Sequence, residues 1–410
     1  MARDLRLFYL FRLLSTSYLF VPVRVAFATS RGLGIGEVML LSSIFSLVVI
    51  LCEVPTGALA DRLGRRPAMM AGALAMIAAC VTLSCADGFA LFALGEALAA
   101  LSMTLCSGAD SAYLFDLLSD HGRQGEYAQR EGTASAWHLG GNALAFAAGG
   151  LLGAVGLALP YLVNAGVAAL AFCVALGMRE DRPRAAPAPL SPREGLRHVR
   201  ESFGIVARGG RLRWAIGYSA LVFVLLTATV YIYQPYLDKA GFGIAQVGLI
   251  FAAAYLVAAL VAHHADALRR RFAAPVLLWG LGALLVVTFL VLGEITGPWV
   301  LGVLVVQAAA NGLYSPLVKP LLNHEIPDST RRATVLSVES MVRRLAFGVF
   351  SPVVGAFMAA RGPGAGLTLC GVVGLVGFGA LALVSRRAAA PASAPLPAAI
   401  AAQEDPQNAA

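Results

Sequence analysis

The chain is divided into about twelve long apolar segments that are separated by short charged turns. A helix needs about 20 mostly apolar residues to cross the hydrocarbon core of a bilayer. Segments of that length fall at 5–29, 36–60, 67–86, 89–118, 130–156, 158–178, 213–237, 244–266, 273–295, 298–323, 331–360 and 364–385. Charged residues make up only 13% of the 410 residues, whereas a soluble domain has about 25%. The sequence therefore predicts an all-α protein with twelve transmembrane helices, embedded in a lipid bilayer.

Positive charges alternate from one turn to the next. Arginines precede the first helix and follow every even-numbered helix, whereas the intervening turns are nearly free of positive charge. The positive-inside rule therefore predicts that both termini are cytoplasmic in a bacterial inner membrane. This topology explains the formal charge of +8, so no nucleic-acid partner is expected. Because Arg12 interrupts the first segment and no small-residue cleavage site follows, no cleaved signal peptide is expected.

The turn between the second and third helices carries a charged ten-residue pattern. Its sequence is Gly57-x-Leu59-Ala60-Asp61-Arg62-x-Gly64-Arg65-Arg66. The pattern resembles the loop 2–3 signature of the major facilitator superfamily (MFS), G-x-L-x-D-x-x-G-R-K/R, at every fixed position. This resemblance implies secondary transport and the MFS fold, in which twelve transmembrane helices form two pseudo-symmetric six-helix bundles.

The resemblance also implies a conformational latch on the cytoplasmic side. In the superfamily the motif aspartate lies near the N-terminus of the eleventh transmembrane helix, where the positive end of the helix macrodipole attracts it. The motif arginine pairs with an acidic residue at the inner end of helix four. The latch residues implied here are Gly57, Asp61, Arg62, Gly64, Arg65, Arg66 and Asp116.

An internal duplication of the sequence supports the division of the chain into two halves. Matching positions are Gly32/Gly241, Gly34/Gly243, Ile35/Ile244, Gly108/Gly312 and Ser111/Ser315. We predict a first six-helix bundle at 1–178, a cytoplasmic linker with an amphipathic helix at 179–212, a second bundle at 213–387 and a disordered tail at 388–410. Transporters with such repeats bind their substrate near the midplane, between the halves.

Ionisable side chains within the predicted helices are candidates for proton coupling or for buried ion pairs, because a charge inside a membrane is costly. They are Asp110, Glu53, Arg12, Glu96, Glu339 and Arg343. Asp110 either exchanges a proton during transport or pairs permanently with an arginine such as Arg12. Arg24 lies near the outer end of helix one and is expected to snorkel to the surface. Glu339 and Arg343 are four residues apart, which favours an intrahelical pair.

Polar and aromatic residues near the predicted midplane and outer mouth are candidates for the substrate cavity. They are Trp137, His138, Asn142, Tyr231, Tyr233, Gln234, Gln307 and Asn311. Structural roles compete with this function, because interfacial tyrosines anchor helices in the headgroup region and amides hydrogen-bond between helices. Pro235 is expected to break helix seven near an outer gate.

The sequences at 53–57 and 107–110 are also similar to the multidrug-efflux branch of the superfamily. The predicted function is proton-coupled efflux of small amphipathic compounds by a monomer that moves protons in exchange. The alternative is a nutrient or metabolite importer or facilitator. No G-x-x-x-x-G-K-[ST] loop is present, which excludes direct ATP coupling within this chain. The scattered cysteines and the lack of a cytoplasmic catalytic cluster predict no metal, no cofactor and no enzyme activity, and the latch motif argues against a non-transporting sensor.

Overall fold

The computed structural model describes residues 1–179, 209–326 and 332–388, together with Gly204. These three ranges contain fourteen α-helices and no β-strand. The helices are α1 (Ala2–Ser15), α2 (Arg24–Ser30), α3 (Ile35–Leu63), α4 (Arg65–Ser84), α5 (Phe89–Cys106), α6 (Ala109–Ser119), α7 (Tyr127–Val155), α8 (Leu159–Gly177), α9 (Gly210–Lys239), α10 (Ile244–Arg271), α11 (Ala274–Glu294), α12 (Val300–Glu325), α13 (Arg332–Arg361) and α14 (Pro363–Ala388). The predicted linker helix and the predicted tail lie outside the described residues.

Eleven helical segments of the described chain are long and apolar enough to cross a membrane. They correspond to the second to twelfth predicted helices, and α5 and α6 together form the fourth. The first predicted helix, 5–29, is instead divided between α1 and α2. The twelve predicted segments are therefore all present, but the first and the fourth are interrupted.

Local hydrogen bonds explain the interruption of the first segment. The hydroxyl of Thr16 donates to the carbonyl of Arg12 at 2.5 Å, and the hydroxyl of Ser17 donates to that of Leu13 at 2.6 Å. Such bonds compete with the helical pattern and bend helices. Pro22 follows and has no amide hydrogen to continue a helix. The prediction of one continuous first helix was wrong because hydropathy does not register these bonds.

A glycine explains the interruption of the fourth segment. Gly108 has a φ of +83°, a left-handed conformation that glycine adopts without steric cost. Ser107 before it is extended, and α6 begins directly after it at Ala109. The prediction of an uninterrupted helix 89–118 was wrong at this point. As a result, Asp110 lies in the first turn of a new helix.

Buried apolar side chains form three clusters that follow the order of the chain. Two clusters consist entirely of residues from α1–α8 and their connections. The third consists of residues from α9–α14 and their connections, with Met39 and Phe146 added from the earlier helices. We refer to α1–α8 as the first bundle and to α9–α14 as the second bundle. Within a bilayer, close packing of this kind holds helices together.

Hydrogen bonds between the two bundles lie at one end of the described structure. Ser42 and Ser351 share a hydrogen bond of 2.6 Å, and the Ser43 hydroxyl donates to the carbonyl of Gly348 at 2.7 Å. In the same region the helix backbones of α7 and α10 nearly touch, since a Cβ added to Gly150 would lie 2.6 Å from the Cα of Gly248. We call this the closed end. It is opposite the end at which α3 leads into the turn of the sequence motif.

Candidate functional site

A buried ion pair lies where both interrupted segments break. Arg12, in the last turn of α1, pairs with Asp110, in the first turn of α6. Their side chains are 15% and 8% exposed. Both lie about ten residues, or about 15 Å at 1.5 Å per residue, from the helix ends on the side away from the closed end. Since the hydrocarbon core is about 30 Å thick, the pair lies near mid-depth.

A second carboxylate joins this pair. The amide of Ser111 donates to Asp110 Oδ1 at 2.6 Å, and its hydroxyl donates to Glu131 Oε1 at 3.0 Å. The same Glu131 oxygen lies 3.9 Å from Arg12 Nη2. One guanidinium therefore serves two carboxylates, and we call Arg12, Asp110, Ser111 and Glu131 the charge cluster. Sequence analysis missed Glu131 because it directly follows Arg130 at the predicted helix boundary and resembles a surface residue.

The predicted residues of α7 differ in their surroundings. Asn142 is 2% exposed, and its amide donates to the carbonyl of His138 at 3.2 Å. His138 is close enough to Arg12 for the charge of Arg12 to act on it. His138 and Asn142 therefore extend the polar region from the charge cluster towards the closed end. Trp137 is 47% exposed and lies about 100° around the helix from His138.

A second buried ion pair lies near the closed end. Arg24, at the start of α2, pairs with Glu96 of α5, and their side chains are 14% and 5% exposed. The Arg24 guanidinium also stands over the ring of Tyr231 of the second bundle, 4.8 Å from its centroid. The prediction that Arg24 snorkels to the surface was wrong, because its guanidinium pairs with the buried carboxylate of Glu96 and stacks on the ring of Tyr231 inside the protein.

The tyrosine-rich end of α9 joins the two bundles. Gln234 is 2% exposed, and its side-chain oxygen accepts a hydrogen bond of 2.8 Å from the amide of Val25. Tyr231 is also buried, and so is the hydroxyl of Tyr233. These side chains lie inside the protein rather than in a headgroup belt. Pro235 lies within the continuous helix Gly210–Lys239, so the predicted break at this proline is absent.

A cleft of about 430 Å³ lies beside this contact. Its walls include Val25, Thr29, Gln234, Asp238 and Met358. None of its lining residues belongs to the charge cluster. The cleft is therefore a feature of the closed end, separate from the mid-depth polar groups.

The second bundle has its own polar group on α13. Arg343 Nε lies 3.8 Å from Glu339 Oε2, which is the predicted intrahelical pair. The hydroxyl of Ser219 donates to the other Glu339 oxygen at 2.5 Å. The next residue, Arg344, lies within electrostatic reach of Glu53 of the first bundle. Glu53 on α3 and Arg344 on α13 therefore carry opposite charges on two helices that face each other across the boundary between the bundles.

The two predicted amides of α12 differ in exposure. Gln307 is 3% exposed, and neither of its amide atoms has a hydrogen-bond partner among the described residues. Asn311, one turn further along, is exposed. A buried amide without a partner is destabilising, so Gln307 is a good candidate for a group that binds water or substrate.

The motif turn is built around Gly64, which ends α3 with a φ of +100°. The Asp61 carboxylate forms an ion pair with Arg65, with 2.6 Å between Asp61 Oδ1 and Arg65 Nη1. Arg66 donates to the carbonyls of Ala175 and Leu176 at 3.1 and 2.9 Å, at the C-terminal end of α8 where a cation is favourable. The turn is thereby tied to α8. The pairing of Arg65 with Asp116 stays a prediction, and so do the latch roles of all seven residues, Gly57, Asp61, Arg62, Gly64, Arg65, Arg66 and Asp116.

No group of three or more His, Cys, Asp or Glu side chains in the described part of the chain could hold a metal ion. The six cysteines are all free thiols. The chemistry available at mid-depth is therefore that of buried charges, amides and aromatic rings. Such groups in a membrane protein mark pathways for substrates, ions or protons.

Comparison with known proteins identifies the architecture. A family model described as Major Facilitator Superfamily matches residues 7–292. No curated protein matches the chain. The solved structure of the nucleoside transporter NupG is 12% identical, with a TM-score of 0.76, and covers 94% of this chain and 98% of its own. The peptide transporter POT in complex with sulfate is 15% identical, with a TM-score of 0.72, and 94% of each chain is covered.

The D-xylose-proton symporter is a third similar structure. It is 14% identical, with a TM-score of 0.67, and the match covers 91% of this chain and 96% of the symporter. At these identities the likeness establishes the fold, whereas the family match covers more than half of the chain. The protein is thus a multi-pass membrane transporter for a small molecule and not an enzyme, and it belongs to the major facilitator superfamily.

Proposed function

We propose that the chain is a proton-coupled exporter of small amphipathic compounds. It works as a monomer by alternating access across a bacterial inner membrane, with both termini in the cytoplasm. The alternating arginine-rich turns of the sequence support this orientation. In this orientation the closed end faces outward, and the charge cluster is approached from the cytoplasm.

The charge cluster is the observation that carries the proposal. Arg12, Asp110 and Glu131 lie near mid-depth, where unneeded charges are costly, and the two carboxylates share one guanidinium. Carboxylates inside membrane proteins serve as proton relays. A proton taken up from one side and released to the other would supply the driving force for transport.

The position of the contacts between the bundles supports alternating access. Hydrogen bonds such as Ser42–Ser351 join the bundles at the closed end in the described structure. Transporters built from two repeats rock one bundle against the other around a fixed site. The motif turn, with Asp61 and Arg65, then acts as the latch of the opposite end when that end closes.

The candidate cavity residues favour a cargo with polar and apolar parts. His138 and Asn142 extend from the charge cluster, while Gln307 and Asn311 lie on α12 of the second bundle. Export rather than import is supported by the similarity of residues 53–57 and 107–110 to the multidrug-efflux branch. The amides supply hydrogen bonds, and the surrounding aromatic and aliphatic side chains supply apolar contact.

Import or facilitated movement of a nutrient or metabolite is the second candidate. It is considered because similar solved structures are described as a nucleoside transporter, a peptide transporter and a D-xylose-proton symporter, whose cargoes belong to this class. Both candidates use the same fold and the same mid-depth site. An importer differs from the exporter in the direction in which the proton gradient moves the substrate, and a facilitator does not use the proton gradient.

Inverted membrane vesicles distinguish the two candidates. A panel of labelled and fluorescent compounds is tested with and without an imposed pH gradient, using wild type and Asp110→Asn. Export predicts accumulation inside the inverted vesicles that requires an acidic interior, and loss of that accumulation in Asp110→Asn. Accumulation that ignores the gradient would exclude proton antiport, and gradient-driven exit of the compound would favour import.

A further inference from the structure

The charge cluster contains two carboxylates, and the structure treats them differently. We infer that Glu131, and not Asp110, binds and releases the coupling proton, while Asp110 holds Arg12 in place. This inference rests on the proposed proton coupling and assigns it to a residue that the sequence did not single out. It follows from the charge count, the hydrogen bonds and the accessibility of the two side chains.

The charge cluster needs one added proton to become electrically neutral. With Arg12 charged and both carboxylates ionised, the cluster has a net charge of −1 in a region where net charge is costly. Addition of one proton removes that charge. The cluster therefore has two states that differ by a single proton, and the remaining question is which carboxylate takes it.

Asp110 is held as a carboxylate. Its Oδ2 receives the guanidinium of Arg12, and its Oδ1 receives the amide hydrogen of Ser111 at 2.6 Å. Hydrogen bonds donated to the charged form favour that form. Protonation of Asp110 would place a hydrogen on an oxygen that already faces a donor, so this residue is a poor acceptor for the coupling proton.

Glu131 has the opposite surroundings. Its Oε1 receives the Ser111 hydroxyl at 3.0 Å and lies 3.9 Å from Arg12, while its Oε2 is buried without a hydrogen-bond partner among the described residues. A buried anionic oxygen without a donor is costly, and an O–H bond formed there removes the charge. The Glu131 side chain is also 26% exposed, against 8% for Asp110. Water therefore reaches Glu131 more easily.

The other charged groups around Glu131 are few. Arg12 approaches it from α1, and Asp110 approaches it from α6. On its own helix, Tyr127 lies one turn earlier and Arg130 is paired with Glu126 at 2.9 Å. The described helix α8, which also packs against α7, has no acidic or basic residue. The second-bundle helix α10 packs against α7 as well and carries His263, His264, Asp266 and three arginines towards its C-terminal end, where Arg269 pairs with Asp266. Among the described residues, Arg12 is the cation that both carboxylates share.

A proton on Glu131 changes what Arg12 does. When the Glu131 carboxyl group takes a proton from water, Glu131 becomes neutral and Arg12 pairs with Asp110 alone. When that proton returns to water, the restored carboxylate attracts Arg12 as well. Arg12 lies next to the break between α1 and α2, and Asp110 lies next to the break between α5 and α6. The protonation state of Glu131 therefore acts directly on both interrupted segments.

Infrared difference spectroscopy tests the inference without any substrate. The purified full-length protein is reconstituted in lipid, and spectra in acidic and alkaline buffer are subtracted. In addition to the signal of the other Asp and Glu side chains, wild type should show a carbonyl band from a buried protonated carboxyl group, and Glu131→Gln should lose this additional band. Asp110→Asn should keep the band, because the Glu131 carboxyl group is still present.

Two variants control the experiment. Glu126→Gln removes a nearby carboxylate outside the cluster and should leave the band unchanged. Glu131→Asp retains a titrating group and should retain a band, which separates loss of the proton site from loss of folding. A band that persists in Glu131→Gln, or that disappears in Asp110→Asn, would overturn the inference. Failure of the proposed function would appear separately, as wild-type transport in vesicles that ignores the pH gradient.

Discussion

Arg24 and Glu96 form a pair whose charges have little contact with solvent. The pair lies in the first bundle, but the guanidinium also covers Tyr231 of the second bundle. Arginine suits this position because its flat guanidinium can bind a carboxylate and stack on a ring at the same time. The pair therefore links the fold of the first bundle to the contact between the bundles.

Removal of one member of this pair should be strongly destabilising. Arg24→Ala leaves Glu96 as an unpaired buried carboxylate, and breaking such a pair costs about 3–5 kcal/mol. The thermal unfolding midpoint of the purified protein should fall clearly. The double variant Arg24→Met/Glu96→Leu removes both charges and should recover most of the loss. Arg31→Ala, at an exposed arginine nearby, serves as the control, and an equal effect there would contradict the assignment.

Residue types and helical spacing predicted part of the site. The pair of Glu339 with Arg343 follows from their separation by four residues, and Asp110 was placed correctly in the fourth segment near Arg12. Glu131 was missed because it follows Arg130 at the predicted helix boundary, where a charged residue is typical of a protein surface. A single sequence does not state which residues from different helices meet, so partners across helices required the structure.

At the scale of elements, the motif turn connects three helices. It ends α3 at Gly64, begins α4, and reaches the last carbonyls of α8 through Arg66. Asp61 is held within the turn by Arg65 but is 44% exposed. Its charge is therefore available to a partner that approaches when this end of the transporter closes.

Asp61→Asn should weaken transport and leave membrane insertion intact. The substitution keeps the size of the side chain but removes the charge that, in the predicted latch, is attracted by the macrodipole of the eleventh transmembrane helix, α13. The transport rate in vesicles and the amount of protein in the membrane are measured together. Asp266→Asn is a matched control, because Asp266 also pairs with an arginine, Arg269, near the end of a long helix in the second bundle. Unchanged transport in Asp61→Asn would contradict the latch.

The number and order of the apolar segments could be predicted from the sequence, but the interruptions of the first and fourth could not. The length of the apolar segments alone identified all twelve, because a helix needs about 20 mostly apolar residues to cross a membrane. The breaks at Thr16 and Gly108 depend on local hydrogen bonds and on one backbone angle. Pro235 is the opposite case, because it was expected to break a helix but lies within a continuous one. Membrane helices tolerate proline where their surroundings compensate for the lost hydrogen bond.

At the scale of the whole molecule, the closed end determines which side of the transporter is accessible. Ser42 and Ser351 are 0% exposed and their hydroxyls are 2.6 Å apart. They belong to α3 and α13, one helix from each bundle. If the bundles must separate here in every cycle, a covalent bond between these positions should stop transport.

The double variant Ser42→Cys/Ser351→Cys tests this requirement. Disulfides form between side chains that are this close, with a sulfur–sulfur bond of about 2.05 Å. Oxidised protein should transport at background level, and a reductant should restore the rate. The single variant Ser42→Cys should respond to neither treatment. Full transport by protein that mass spectrometry shows to be cross-linked would rule out separation of the bundles at this end.

The near contact of α7 with α10 at Gly150 and Gly248 has a mechanical consequence. Gly150 is about 8 Å from the end of α7 at Val155 but about 35 Å from its start at Tyr127, at about 1.5 Å per residue. If α7 pivots at this point, it is a lever with arms in a ratio of about one to four. A displacement of about 1 Å at the short arm then becomes about 4 Å at the long arm, so small changes in packing at the closed end give large changes in aperture at the opposite end.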